Sequence, residues 1–101
     1  MLLDEIVAIQ RDVCAARNWE AHHTPRSLVM STTTEIGELA RVLQWKGEGA
    51  VSGDEKACVG AELADVLLNA VRLADVCGID VGRAVSERLD DLAHRLPAVK
   101  D

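Results

Sequence analysis

An all-α protein of four helices is the expectation from three features of this 101-residue chain. Phe and Tyr are absent and only two Trp occur, so the core has to be built from Leu, Val, Ile and Ala. That composition suits helix packing better than strands, which favour aromatic and β-branched side chains. Apolar residues recur at three- and four-residue spacing. Turn-forming residues divide the chain into four segments: a polar stretch at 18–25, a loop with three glycines at 46–54, and Gly78.

The first helix is expected over about residues 3–17, with Ile6, Ile9 and Val13 at helical spacing. Residues 18–25 form a connector carrying Trp19, His22 and His23. Thr24 is the expected N-cap of the second helix and Pro25 its first residue. That helix runs to about Trp45, with an apolar stripe of Leu28, Ile36, Leu39 and Leu43 and Thr32 in register. The run Ser31–Thr34 is weakly helix-forming and suggests a buried or constrained setting. Ser52 or Asp54 caps a third helix of about 54–77, whose apolar face holds Val59, Leu63, Val66, Leu67, Ala70, Leu73 and Cys77. Gly78 is its C′ residue. Asp80 caps a fourth helix over about 81–96, which stops at Pro97. The whole chain, 1–101, reads as one domain.

The formal charge of −6 argues against a nucleic-acid polymer as partner, since no basic stripe offsets it. It leaves a nucleotide open, because a bound cation reverses the local sign. The three cysteines, Cys14, Cys58 and Cys77, form no CxxC pair and read as reduced thiols, with Cys77 in the core. The N-terminus is acidic and amphipathic rather than a leader, and no apolar run is long enough to span a bilayer. A cytoplasmic location and no membrane partner are expected. A chain of this length buries only roughly 60–70% of its unfolded surface, so a partner subunit is expected to cover apolar helix faces.

Chemistry concentrates in two acid pairs. The second helix holds Glu35-Ile-Gly-Glu38 and the third holds Glu62-Leu-Ala-Asp65. Spacing of i, i+3 puts both carboxylates of a pair on one face. Each pair lies among apolar residues without a basic neighbour inside the unit, where repulsion and desolvation are costly. A divalent cation resolves both, and four hard oxygen donors suit Mg²⁺ or Mn²⁺. Trp45 lies two turns beyond Glu38, and Asn69 and Arg72 continue the Glu62–Asp65 face. A metal, a phosphate-binding Arg and a stacking Trp together describe a nucleotide site.

At WEAHHTPR (19–26), EIGELARVLQW (35–45) and ELAD with the following VLL, the chain resembles the MazG-like all-α nucleoside triphosphate pyrophosphohydrolases, and within them the small dCTP pyrophosphatase type. The resemblance implies cleavage of the α–β phosphoanhydride of a (d)NTP to monophosphate and pyrophosphate. It implies Mg²⁺ on Glu35, Glu38, Glu62 and Asp65, which are also the catalytic candidates; a carboxylate not fully used by the metal can take the water proton, and Glu38 is favoured for that role. It implies a base pocket of Trp19, His23 and Trp45, and a homodimer or homotetramer with pockets formed across subunits. Arg26 lies in the shared lead-in and is taken as substrate-binding, as are Asn69 and Arg72. Arg88, matching a family Lys, and Arg95 are expected on phosphates. The chain departs from the family pattern at Gln10, Arg41, Asn69 and Leu92. Those departures fall around the acid quartet and bear on base preference and phosphate grip. The departures at Asn69 and Leu92 also motivate the alternative of a non-catalytic or weakly active nucleotide-binding helical oligomer.

Overall fold

The computed structural model describes residues 2–95, and among them all regular structure is helical. Four α-helices, α1 (Leu3–Ala16), α2 (Pro25–Leu43), α3 (Gly53–Val76) and α4 (Val81–Arg95), are joined by short connectors, the first of which contains one 3₁₀ turn, Glu20–His22. Leu96 and Pro97, the expected end of the last helix, lie outside the described residues.

The helix ends follow local chemistry. Thr24 caps α2 in a reciprocal box with Ser27, its hydroxyl accepting from the Ser27 N–H at 3.1 Å. Ser52, not Asp54, caps α3, in a second box with Glu55. Asp80 Oδ1 accepts from the Arg83 N–H at 3.0 Å and starts α4. Two left-handed residues stop α1 and α3. Asn18 at φ 55° lets the Trp19 N–H reach the Cys14 carbonyl at 2.9 Å. Gly78 at φ 70° lets the Ile79 N–H reach the Ala74 carbonyl at 2.8 Å. These are the six-to-one closures of a Schellman ending.

α2 and α3 form an antiparallel hairpin. His23, just before α2, meets Arg72 near the end of α3, while Lys46 after α2 meets Glu55 at the start of α3. The seam has a four-three spacing on both helices: Leu28, Thr32, Glu35, Leu39 and Val42 on α2, and Val59, Glu62, Val66, Asn69 and Leu73 on α3, all buried or half-buried. Two carboxylates therefore occupy positions that the packing period reserves for apolar knobs. α1 and α4 meet the C-terminal part of α3, where Cys14, Val71 and Ala74 are buried. Gln10 Nε2 donates to the Leu68 carbonyl at 2.8 Å and ties α1 to α3.

Several expected core residues face outward. Ile36 is 52% exposed, Leu63 44% and Leu67 62%. Ala70 and Cys77 are exposed as well, whereas Cys14 is the buried thiol. The reason is that α2 and α3 are apolar on more than one face, and a hairpin covers only the one along its seam. The hydroxyl run is also less enclosed than expected. Thr33 and Thr34 are exposed, and Thr32, Thr33 and Thr34 each donate to the carbonyl four residues back, at 2.7, 3.0 and 3.1 Å. This back-bonding satisfies the hydroxyls within the helix.

Candidate active site

The midpoint of the α2–α3 seam gathers three carboxylates. Oxygens of Glu35, Glu62 and Asp65 all lie within 4.8 Å of one another. Glu35 and Glu62 are half-buried in the seam and Asp65 sits at its exposed edge. Glu62 Oε2 is buried and has no hydrogen-bond partner, an arrangement that costs free energy unless something positive is supplied. Desolvation, then a side-chain hydrogen bond shared with Glu62, and then the charges of Asp65, Glu62 and Glu38 push the Glu35 carboxyl above its usual range. Mg²⁺ takes oxygens at about 2.1 Å, so its ligand oxygens lie about 3–4.2 Å apart. An all-oxygen donor set with one orphaned acceptor fits a hard divalent cation.

Glu38 stands outside the trio. It is exposed and lies 3.8 Å from the Arg41 guanidinium, one turn on. Arg41 is one of the departures noted in the sequence, and it provides the local partner that the acid pair itself lacks.

The expected pocket residues distribute unevenly. Trp45 is 90% exposed beyond the end of α2. Trp19 is 46% exposed, with the Arg17 guanidinium 5.5 Å over its ring. His23 is half-buried, and its Nδ1 accepts from Arg72 Nε at 3.0 Å. Asn69 does not reach toward the acids; its amide donates to the Asp65 carbonyl on its own helix at 3.0 Å. Arg72 was expected to continue the acid face toward phosphate. It is instead 7% exposed, bonded to His23 and to Asp75 Oδ2 at 3.2 Å, because the end of α3 is enclosed by α1 and the connector. Arg26 is exposed in the first turn of α2. Arg88 and Arg95 both bond Asp91 Oδ2, at 2.7 and 3.1 Å, along exposed α4. Leu92 is half-buried on that helix.

Two interactions escaped the sequence reading. Arg11 of α1 grips Asp75 of α3 through two hydrogen bonds, Nε to Oδ2 at 2.8 Å and Nη2 to Oδ1. The signals were an unexplained acid in the apolar run VRLADV and its i, i+3 relation to Arg72. Lys46 Nζ bonds Glu55 Oε1 at 2.8 Å and closes the α2–α3 connector, and with the Ser52 backbone it holds the Glu55 carboxyl down at about 2.

The MazG nucleotide pyrophosphohydrolase domain model matches residues 23–100. The chain belongs to that family. Among curated relatives, dCTP pyrophosphatase 1 of Rattus norvegicus is 38% identical over 100 residues, covering 94% of this chain and 59% of that protein. dCTP pyrophosphatase 1 of Homo sapiens is 38% identical over 101 residues, 95% of this chain and 59% of that protein. The chain thus spans 59% of the length of these mammalian relatives. The solved structure of a pyrophosphatase from Archaeoglobus fulgidus DSM 4304 superposes with a TM-score of 0.78 at 31% identity, covering 94% of this chain and 92% of that one. The four-helix MazG fold is therefore shared across nearly the whole chain. No described helix is long and apolar enough to cross a membrane.

Proposed function

We propose that this chain is a Mg²⁺-dependent nucleoside triphosphate pyrophosphohydrolase that splits the α–β phosphoanhydride of a (d)NTP, with dCTP-like or modified nucleotides favoured, in a cytoplasmic nucleotide-pool cleaning role. The observation that carries it is the seam trio with its orphaned Glu62 oxygen. Glu35, Glu62 and Asp65 would hold the metal, with Glu38 as the fourth acid of the set. When bound, Mg²⁺ supplies charge neutralisation for the triphosphate and for an attacking water. The chain's own residues do the rest. A carboxylate not committed to the metal, for which Glu38 is the favoured candidate, accepts the water proton as the oxygen adds to phosphorus and the bridging P–O bond breaks. Trp19 and Trp45 offer faces to the base and His23 an edge. Of the arginines expected on substrate, Arg26, Arg88 and Arg95 are exposed and available to phosphate, the last two by exchanging Asp91 for a stronger anion.

The site is proposed to be completed by a second copy. The chain exposes 7837 Å², against about 5,600 Å² for a compact monomer of its mass. Its radius of gyration is 16.5 Å, against about 13 Å for a compact domain of this length. Met30, Ile36, Leu63, Leu67 and Leu89 project into solvent from three helices. An excess of about 2,000 Å² per protomer, with aliphatic side chains among the exposed ones, matches the burial of an obligate homodimer or a tetramer built from one. The rival reading, nucleotide binding without turnover, draws on Glu38 being engaged by Arg41.

The test is pyrophosphate release from a nucleotide panel with and without Mg²⁺. Metal-dependent release with stoichiometric monophosphate supports the proposal. Nucleotide binding without release from any substrate favours the rival.

A further inference from the structure

His23, Arg72, Asp75 and Arg11 form a continuous chain of side chains that the metal site does not use. It runs from α1 through the end of α3 to the turn before α2. Arg11 clamps Asp75, whose side chain is 11% exposed. Asp75 Oδ2 also receives Arg72 Nη1 at 3.2 Å. Arg72, so anchored and 7% exposed, points its Nε–H at His23 Nδ1 at 3.0 Å. An arginine Nε always carries a hydrogen and never accepts. The His23 Nδ1 facing it must therefore present its lone pair, and in neutral imidazole the proton then resides on Nε2.

We propose that Arg72 is a positioning residue that holds His23 as the neutral Nε2–H imidazole, so that the pocket presents a hydrogen-bond donor and takes nucleobases whose edge accepts. The inference rests on the reading of His23 as a base-pocket residue. Arg11 and Arg72 share the single carboxylate of Asp75, so one positive charge remains uncompensated beside the ring. Desolvation and then Arg72 hold His23 below the usual histidine range, His22 acts the same way from the adjacent turn, and Glu20 opposes them. A pyrimidine carbonyl oxygen or an unprotonated ring nitrogen satisfies such a donor, and an exocyclic amine does not. Base preference is thereby set in part by residues that touch no substrate.

Long-range proton–nitrogen NMR of the full chain decides the tautomer directly. The expected spectrum shows His23 with Nε2 protonated and Nδ1 bare at mildly alkaline pH, and a titration midpoint below the ordinary histidine value. In Arg72→Met the midpoint rises toward that value and the second tautomer appears. For a cytosine nucleotide, loss of the aligned donor raises KM about 5–20-fold with kcat little changed. In a His23→Gln background Arg72→Met adds no further KM effect. A proton on Nδ1 in the parent protein overturns the proposal, even if the variant does not fold. An equal KM effect of Arg72→Met in the His23→Gln background also overturns it. The NMR arm contains no nucleotide, so a chain that hydrolyses nothing but holds His23 in this tautomer refutes the functional reading alone.

Discussion

Replacing Glu62 by Gln is expected to stabilise the metal-free protein while abolishing its response to Mg²⁺. Glu62 takes part in two of the three carboxylate contacts of the seam trio. Its Oε2 is buried without a donor. Gln keeps the shape, removes both repulsions and brings an N–H₂ that Glu35 can accept from, so the melting temperature without metal rises. The parent protein behaves oppositely. With Mg²⁺ at about ten times its Kd, single-site linkage stabilises the native state by about 1.4 kcal/mol. For a domain of this size that is a rise of about 6–11 °C. The assay is thermal unfolding of both proteins across a Mg²⁺ titration, at fixed protein concentration because an oligomer's melting temperature depends on it. A Glu62→Gln protein that melts lower without metal, and still rises with Mg²⁺ as the parent does, would falsify the assignment of the trio as a cation site.

Three further outcomes follow from other parts of the structure. Glu55 is held at about 2 against an ordinary 4.5, so its contribution to stability is present above pH 4.5 and is lost as pH falls toward 2. Unfolding curves of Glu55→Gln should lie below those of the parent at neutral pH and converge with them across that acid window. Leu28, 3% exposed at the start of the seam, should cost about 2–5 kcal/mol when cut to Ala, measured by denaturant titration. Leu67→Glu places a charge on an outward apolar position that is 62% exposed, and sedimentation should shift the protein toward monomer. An unchanged assembly would remove that face from the interface.

Helix positions and ends were readable in the sequence because their causes are local. Thr24-Pro25, Ser52, Gly78 and Asp80 each act on backbone groups within a few residues of themselves, and the structure uses all of them. Of the candidate site, the sequence pointed to two acid pairs in apolar surroundings, and the i, i+3 spacing placed each pair on one face. It could not divide the four acids. That division depends on the rotation of two helices about their own axes. The rotation turns Glu35 and Glu62 into the seam and leaves Asp65 at its rim and Glu38 beside Arg41. The apolar pattern did not distinguish Leu28 from Ile36, since both lie on broad aliphatic faces and one neighbouring helix covers only part of each.

The two acid pairs, four helices and their caps are properties of short stretches of chain, so composition and spacing alone determined them. The convergence of Glu35, Glu62 and Asp65, and the withdrawal of Arg72 from the acid face to His23 and Asp75, were decided only in the tertiary structure. Arg11 and Asp75 are 64 residues apart in sequence. No local rule sees a pair at that separation, and it forms because α1 packs across the end of α3 and brings the Arg11 guanidinium onto the Asp75 carboxylate that Arg72 also touches.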